Sequence, residues 1–170
     1  RLFPANRLKP PGVQNYLGTD EFGRDLWSRL LYGARITLLV ALASVALSVV
    51  GGTLLGTVAA YAGRGIETAI MRTMDGMLCF PPILLGIFVV TFLGPSIVNL
   101  ILVIGGLYVP RFTRVVHSST LAVRELEYVE SARALGASSL RIILWAILPN
   151  ITAPILVQAS LAAGHAILME

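Results

Sequence analysis

The chain has 170 residues, of which 56% are hydrophobic and 13% charged, and its mean hydropathy is +0.80. A soluble domain carries about 25% charged residues, so a water-soluble globule is a poor match. The net charge is +4, but Lys9 is the one lysine and the arginines are scattered among connecting segments. That pattern offers no track for a phosphate backbone; it argues against nucleic acid and for anionic membrane lipids.

The apolar residues come in long blocks, and about 20 residues of helix match the roughly 30 Å hydrocarbon core of a bilayer. The expected class is therefore all-α, a polytopic transmembrane helical bundle, because backbone exposed to lipid must satisfy its own hydrogen bonds. The alternating pattern of a membrane β-barrel is missing. Cys79 is the single cysteine, which rules out an intramolecular disulfide and a thiolate metal site of the usual spacing. It reads as a small buried hydrophobe. The chain starts at Arg1 without a signal-like segment and stops at Glu170 directly after an apolar pattern, so a fragment is expected.

Residues 1–17 contain Pro4, Pro10 and Pro11 and read as an irregular loop. Thr19 is placed to cap a helix whose first turn holds Asp20 and Glu21. Leu26, Trp27, Leu30, Leu31 and Ala34 fall on one face, opposite Asp25, Ser28, Arg29 and Arg35. That suits an interfacial helix with Trp27 and Tyr32 at headgroup depth; a helix packed on another part of the protein fits equally. Residues 1–35 are accordingly read as an external loop and interfacial helix, and 36–170 as one membrane domain.

Ile36 to Ala62 carries no charge and would run roughly 40 Å at 1.5 Å per residue. Ser44, Ser48, Gly52, Gly56 and Ala60 recur every four residues and form a ridge of small side chains, including a GxxxG match. Small residues let helices approach closely where lipid provides no hydrophobic drive, so this helix is expected to pack on another. Gly63-Arg64-Gly65 is the next turn, and a second span covers about 66–93, interrupted at Pro81-Pro82. Gly94-Pro95 closes it. A third span covers 97–118 and bends at Pro110, with Arg111 and Arg114 at the membrane surface. A fourth covers 151–169, with Ala159, Ser160, Ala163 and Gly164 as its small face.

Between the third and fourth spans, about 119–150, lies a long segment with charges of both signs. Arg124 to Leu135 contains good helix formers, and Glu130 and Arg133 form an i,i+3 pair. Gly136 can take the left-handed conformation that ends a helix. Ser138 or Ser139 can cap a second short helix reaching about Ile147, and Pro149 turns the chain back into the membrane. Two short helices joined at a glycine make either a docking knob or an ordinary connection between spans.

Catalytic motifs are missing from the sequence: no phosphate loop, no HExxH, no CxxC, no GxSxG, and no paired carboxylates within a span. No catalytic residue, metal site or cofactor is assigned. Asn99, Gln158 and His165 are polar groups singled out within spans, and such groups are costly and often functional. Gln158 and His165 are seven residues apart, on one helix face. These three either line a solute pathway or hydrogen-bond across helices, with Asn99 at the interface.

Glu130-Ser131-Ala132, three residues, Gly136, and then Leu148-Pro149 resemble the EAA loop of ABC importer permeases. Ser131 replaces an alanine of that pattern, and Ala146, with Ile147 beside it, stands where isoleucine is expected. The run Gly18-Thr19-Asp20-Glu21-Phe22-Gly23-Arg24-Asp25-Leu26-Trp27-Ser28-Arg29 resembles the segment before the second span in dipeptide, oligopeptide and nickel permeases. The resemblance covers nearly all of the chain from residue 18. It implies the second to fifth of six spans, with the first and last lacking.

It further implies an ATP-driven importer working by alternating access in the prokaryotic cytoplasmic (inner) membrane. The partners would be a second homologous permease subunit, two ABC ATPase subunits and an extracytoplasmic solute-binding protein. ATP would be hydrolysed in the separate ATPase, docked on a cytoplasmic loop formed by Glu130, Ser131, Ala132, Gly136, Ala137, Leu148 and Pro149. Peptide is the expected solute; nickel or another small solute is the alternative, and a passive channel or scaffold the rival from another class. The connections at 63–75 and 110–150 hold seven arginines against six basic residues before Ile36. Charge alone thus gives a slight orientation preference, and the orientation comes from the resemblance.

Overall fold

The computed structural model describes residues 7–13 and 15–169, apart from the side chains of Ile83 and Met169. Among the described residues the regular structure is helical, with one isolated bridge between Thr19 and Asp25. Seven α-helices follow in order: α1 (Leu26–Tyr61), α2 (Arg64–Leu78), α3 (Pro82–Leu93), α4 (Ile97–Arg124), α5 (Glu127–Ala134), α6 (Ser139–Ile142) and α7 (Leu148–Met169). A π-helical turn, Ile143–Ile147, joins α6 to α7. Three helical stretches are long and apolar enough to cross a membrane: Leu26–Tyr61, Ile97–Arg124 and Ser139–Leu168. The chain divides into two compact units, Arg1–Leu39 and Val40–Glu170.

In the first unit a polar turn precedes α1. Asp20 Oδ1 accepts the backbone N–H groups of Phe22 and Arg24, each at 2.9 Å. Its Oδ2 accepts Arg24 Nε at 2.8 Å and Arg29 Nη1 at 2.7 Å. The predicted helix from Thr19 does not form; the turn consumes Asp20, and the Thr19 hydroxyl accepts the Lys9 N–H at 2.9 Å. Asp25 caps instead, its Oδ2 accepting the Ser28 N–H at 2.9 Å and the Ser28 hydroxyl at 2.6 Å, which satisfies a donor that the first helical turn leaves free. No separate interfacial helix precedes the span, since α1 itself begins at Leu26.

In the second unit the small-residue ridge is the contact face of α1. Ser44, Ser48, Gly52, Gly56 and Ala60 are all buried. A Cβ added at Gly52 would lie 2.2 Å from Phe112 Cβ, and one at Gly56 would lie 2.7 Å from Val116 Cβ. Only glycine fits there, because α1 and α4 meet at backbone distance. Ser48 Oγ donates to Gly105 O at 2.7 Å, adding a polar tie across the same seam. The core behind it joins Val40, Ala41, Val45, Ile104, Tyr108, Phe112, Ala162 and Ala166.

The second predicted span is two helices, α2 and α3, with a break at residues 79–81. Pro82 sits at the first position of α3, where its missing N–H costs nothing, but it cannot continue α2. Cys79 is exposed at this break rather than buried, because the chain there leaves the helical path. A hydrogen bond between Glu67 Oε1 and His117 Nε2 at 2.9 Å and an ion pair between Asp75 and Arg114 hold α2 against α4. α4 runs without interruption through Pro110, which is buried.

Candidate functional site

The segment between α4 and α7 begins where α4 ends at Arg124. Glu125 and Leu126 form a tight connection, with the Leu126 N–H donating to Val123 O at 3.1 Å. α5 then carries Glu130, Ser131 and Ala132. It stops at Gly136, whose φ of +82° is the left-handed conformation that glycine enters without Cβ strain. The Ala137 N–H bonds to Ala132 O at 3.1 Å and the Gly136 N–H to Arg133 O at 3.0 Å. Those two bonds make the Schellman pattern that closes a helix end. Ser138 takes the N-cap position of α6 without a side-chain cap bond.

The next turn widens. The Leu148 N–H donates to Ile143 O, five residues back, and such π-bulges add one residue to a helix. Within this turn Ile147 is fully buried, while Ala146, at the position where the resembled pattern has isoleucine, is half-buried. Pro149 does not end the helix: it follows the π turn inside the continuous stretch Ser139–Leu168, where it supplies no N–H to the ladder, and helix continues through it. The Ala146 carbonyl is satisfied by Asn150 Nδ2 at 2.7 Å and approached by the Tyr128 hydroxyl at 3.4 Å.

A hydrophobic plug fixes this segment to the helices. Val129 from α5, Ile142 from α6 and Ile147 from the π turn bury with Val116 of α4 and Ile151 of α7; Ala132, Ala137 and Leu148 pack around them. Of the predicted coupling residues, then, Ala132, Ala137 and Leu148 serve the plug, Gly136 makes the bend, and Glu130, Ser131 and Pro149 are exposed. The predicted Glu130–Arg133 ion pair is not made among the described residues, as exposed pairs gain little from closing. Both side chains instead line a polar cavity of about 350 Å³ with Tyr61, Arg124, Glu125 and Ser139.

The sequence reading missed three residues on the outer rim: Leu135 is 88% exposed, Trp145 80% and Leu140 68%. Leu140 and Trp145 belong to the helical stretch Ser139–Leu168 and Leu135 stands just before it, beside the exposed charges of Glu130 and Arg133. The sequence reading also missed Arg124, whose Nη1 donates to Ala60 O at 2.7 Å in the last turn of α1.

The predicted pathway residues Asn99 and His165 make local hydrogen bonds. Asn99 Nδ2 donates to Leu93 O at 2.8 Å and Gly94 O at 3.0 Å, closing the turn between α3 and α4. His165 Nδ1 meets Leu161 O at 2.8 Å within its own helix and is exposed, and Gln158 is half-buried. Among the described residues no group of three His, Cys, Asp or Glu side chains is arranged to hold a metal ion.

Residues 52–170, which contain the plug, the bend and the exposed rim, match the family model described as binding-protein-dependent transport system inner membrane component. The chain belongs to that family. As a transport-system membrane component it is 47% identical over 165 residues to the dipeptide transport system permease protein of Alkalihalophilus pseudofirmus, covering 97% of this chain and 54% of the relative. It is 40% identical over 167 residues to the di/tripeptide transport system permease protein of Pseudomonas aeruginosa, covering 98% and 55%. The glutathione transport system permease protein of Pectobacterium atrosepticum is 37% identical over 167 residues, covering 98% and 56%. The chain spans about half the length of these curated relatives. It is a multi-pass membrane component with the helical fold of ABC importer permeases.

Proposed function

We propose that this chain is part of a permease subunit that imports peptides by ATP-driven alternating access in a prokaryotic inner membrane. The segment Glu127–Pro149 is its coupling element. It docks on a separate ATPase subunit, and the complete transporter holds two such ATPases, a second permease subunit and an external solute-binding protein. The observation that carries this reading is the exposed apolar rim of Leu135, Leu140 and Trp145 on a segment whose base is anchored by Val129, Ile142 and Ile147. Large exposed apolar groups on a segment that also exposes Glu127, Glu130, Arg133 and Arg141 are suited to a protein partner. A rigid base lets movement of that partner reach α4 and α7.

Glu130 stands among the exposed positions and contacts the partner; Gly136 sets the angle between α5 and α6. The solute class follows the relatives, two of which are named for di- or tripeptides and one for glutathione, itself a peptide. A nickel permease of the same fold differs in solute and not in this mechanism. The coupling step requires contacts with the ATPase that differ between its nucleotide states, since a partner can shift an equilibrium only by its differential affinity for the two states.

The test is Glu130→Arg in the full-length permease, assembled with its partners in proteoliposomes. Uptake of a dipeptide is expected to fall at least tenfold while the protein still inserts. Wild-type uptake in that variant overturns the coupling role, and uptake by the wild type without ATP supports a passive channel instead.

A further inference from the structure

Arg124 occupies a joint. It is the last residue of α4, and α5 starts after two further residues. Its guanidinium reaches back to the other end of a long sequence loop, donating to Ala60 O at 2.7 Å. Ala60 lies in the last turn of α1, where carbonyls have no partner within the helix and the helix dipole concentrates negative charge. The bond is therefore charge-assisted, and stronger than a neutral one. It caps α1 and clamps the end of α4 together.

The surroundings give this bond its importance. Above it, α1 and α4 are in backbone contact up to Gly56 and Val116. Below it, the plug ties the segment mainly to α4 and α7, with Tyr61 the α1 side chain that packs on it. Between these two packed regions lies the polar cavity of about 350 Å³, lined by Arg124, Tyr61, Glu125, Glu130, Arg133 and Ser139. The buried Tyr61 hydroxyl has no hydrogen-bond partner among the described residues. At this level Tyr61 and Val123 mark the edge of the plug, and the last turn of a helix is where structure opens most easily.

We infer that Arg124 is a positioning residue for energy coupling: it stiffens the joint between α4 and the coupling segment by fastening it to the C-terminus of α1. With the clamp in place, a displacement of α5 moves the α1–α4 pair as one body. Without it, the same displacement is absorbed by unwinding the final turn of α4 into the adjacent cavity. This rests on the coupling role proposed above for Glu127–Pro149.

The experiment uses the full-length permease in its assembled transporter, with Arg124→Ala, Arg124→Gln and Arg124→Lys. The readouts are dipeptide imported per ATP hydrolysed and backbone amide exchange at Val123–Leu126 and Tyr61–Gly63. In the alanine and glutamine variants the import-to-hydrolysis ratio is expected to fall at least fivefold. Amide exchange in both stretches should rise at least tenfold, and lysine, which keeps a charged donor, should recover part of the ratio. An unchanged ratio in Arg124→Ala overturns the inference. So does a loss in which uptake and hydrolysis decline in proportion, since that is the behaviour of a residue needed only for folding. If the wild-type transporter shows no ATP-dependent uptake, the permease reading fails rather than this one.

Discussion

Ahead of α1, the chain between Gly18 and Arg29 is organised by one carboxylate, whereas ahead of α7 the chain between Glu127 and Ile147 is organised by uncharged side chains. Asp20 accepts four hydrogen bonds, two from backbone N–H groups and two from arginines. In the later segment the corresponding work is done by Val129, Ile142 and Ile147, and the charged residues Glu127, Glu130, Arg133 and Arg141 are turned outward. The difference has a physical basis. A polar turn gets its geometry from directional bonds and needs no core. The coupling role proposed for the later segment calls for a packed base, because close-packed interiors have low compressibility and pass strain on.

The contrast can be broken most severely at Ile147. Its side chain is fully buried, so Ile147→Ala should cost about 2–5 kcal/mol of local stability. Limited proteolysis of the full-length protein in detergent should then cut between Arg124 and Arg141 much faster, while cleavage at Arg24 and Arg29 stays as in the wild type. Equal protection of the segment in the variant would show that the plug is not its anchor.

A smaller effect is expected at Gly136. With φ at +82°, Gly136→Ala forces a side chain into the left-handed region, at about 1–2 kcal/mol. The rise in proteolysis should be correspondingly milder than for Ile147→Ala. No rise at all would mean that the bend tolerates a side chain and that the Schellman geometry is not limiting.

The mildest perturbation is acid, and it acts on the other region. Burial tends to raise the Asp20 pKa, but the Arg24 and Phe22 N–H groups and the Arg24 side chain outweigh it and hold it at about 2, below the usual 3.8. Asp25 is also lowered, through the Ser28 hydroxyl and N–H. For a depressed carboxylate the stabilising contribution is complete above the unfolded value near 3.8 and is lost as pH falls through about 2. Amide exchange at Phe22 and Arg24, corrected for its intrinsic pH dependence, should therefore rise as pH falls through that window, with Val129 and Ile147 unaffected. Loosening of the Asp20 turn above pH 4 would contradict the hydrogen-bond assignment.

The comparison also separates what local sequence could specify from what it could not. The apolar blocks, the stops at Gly63, Gly94 and Gly136, and the break at Pro81-Pro82 were all legible, because each depends on a residue and its immediate neighbours. The small ridge of α1 was legible for the same reason: five positions four residues apart must share a face of a helix. Thr19 misled because Asp20, four residues before Arg24, had a stronger claim on the same backbone. Pro149 misled because the π turn just before it carries the helix on from α6 into α7.

The sequence by itself thus determined that this is a helical membrane protein with a charged, glycine-hinged segment between two spans. Its EAA-like spacing was enough to indicate the permease family. Tertiary structure decided which helices that segment is fastened to. Glu67 finds His117, Asp75 finds Arg114, and Arg124 finds Ala60 O across 64 residues of chain. Such partners are chosen by where helices cross and how closely glycine lets them approach, and periodicity along one helix carries no information about the residue facing it.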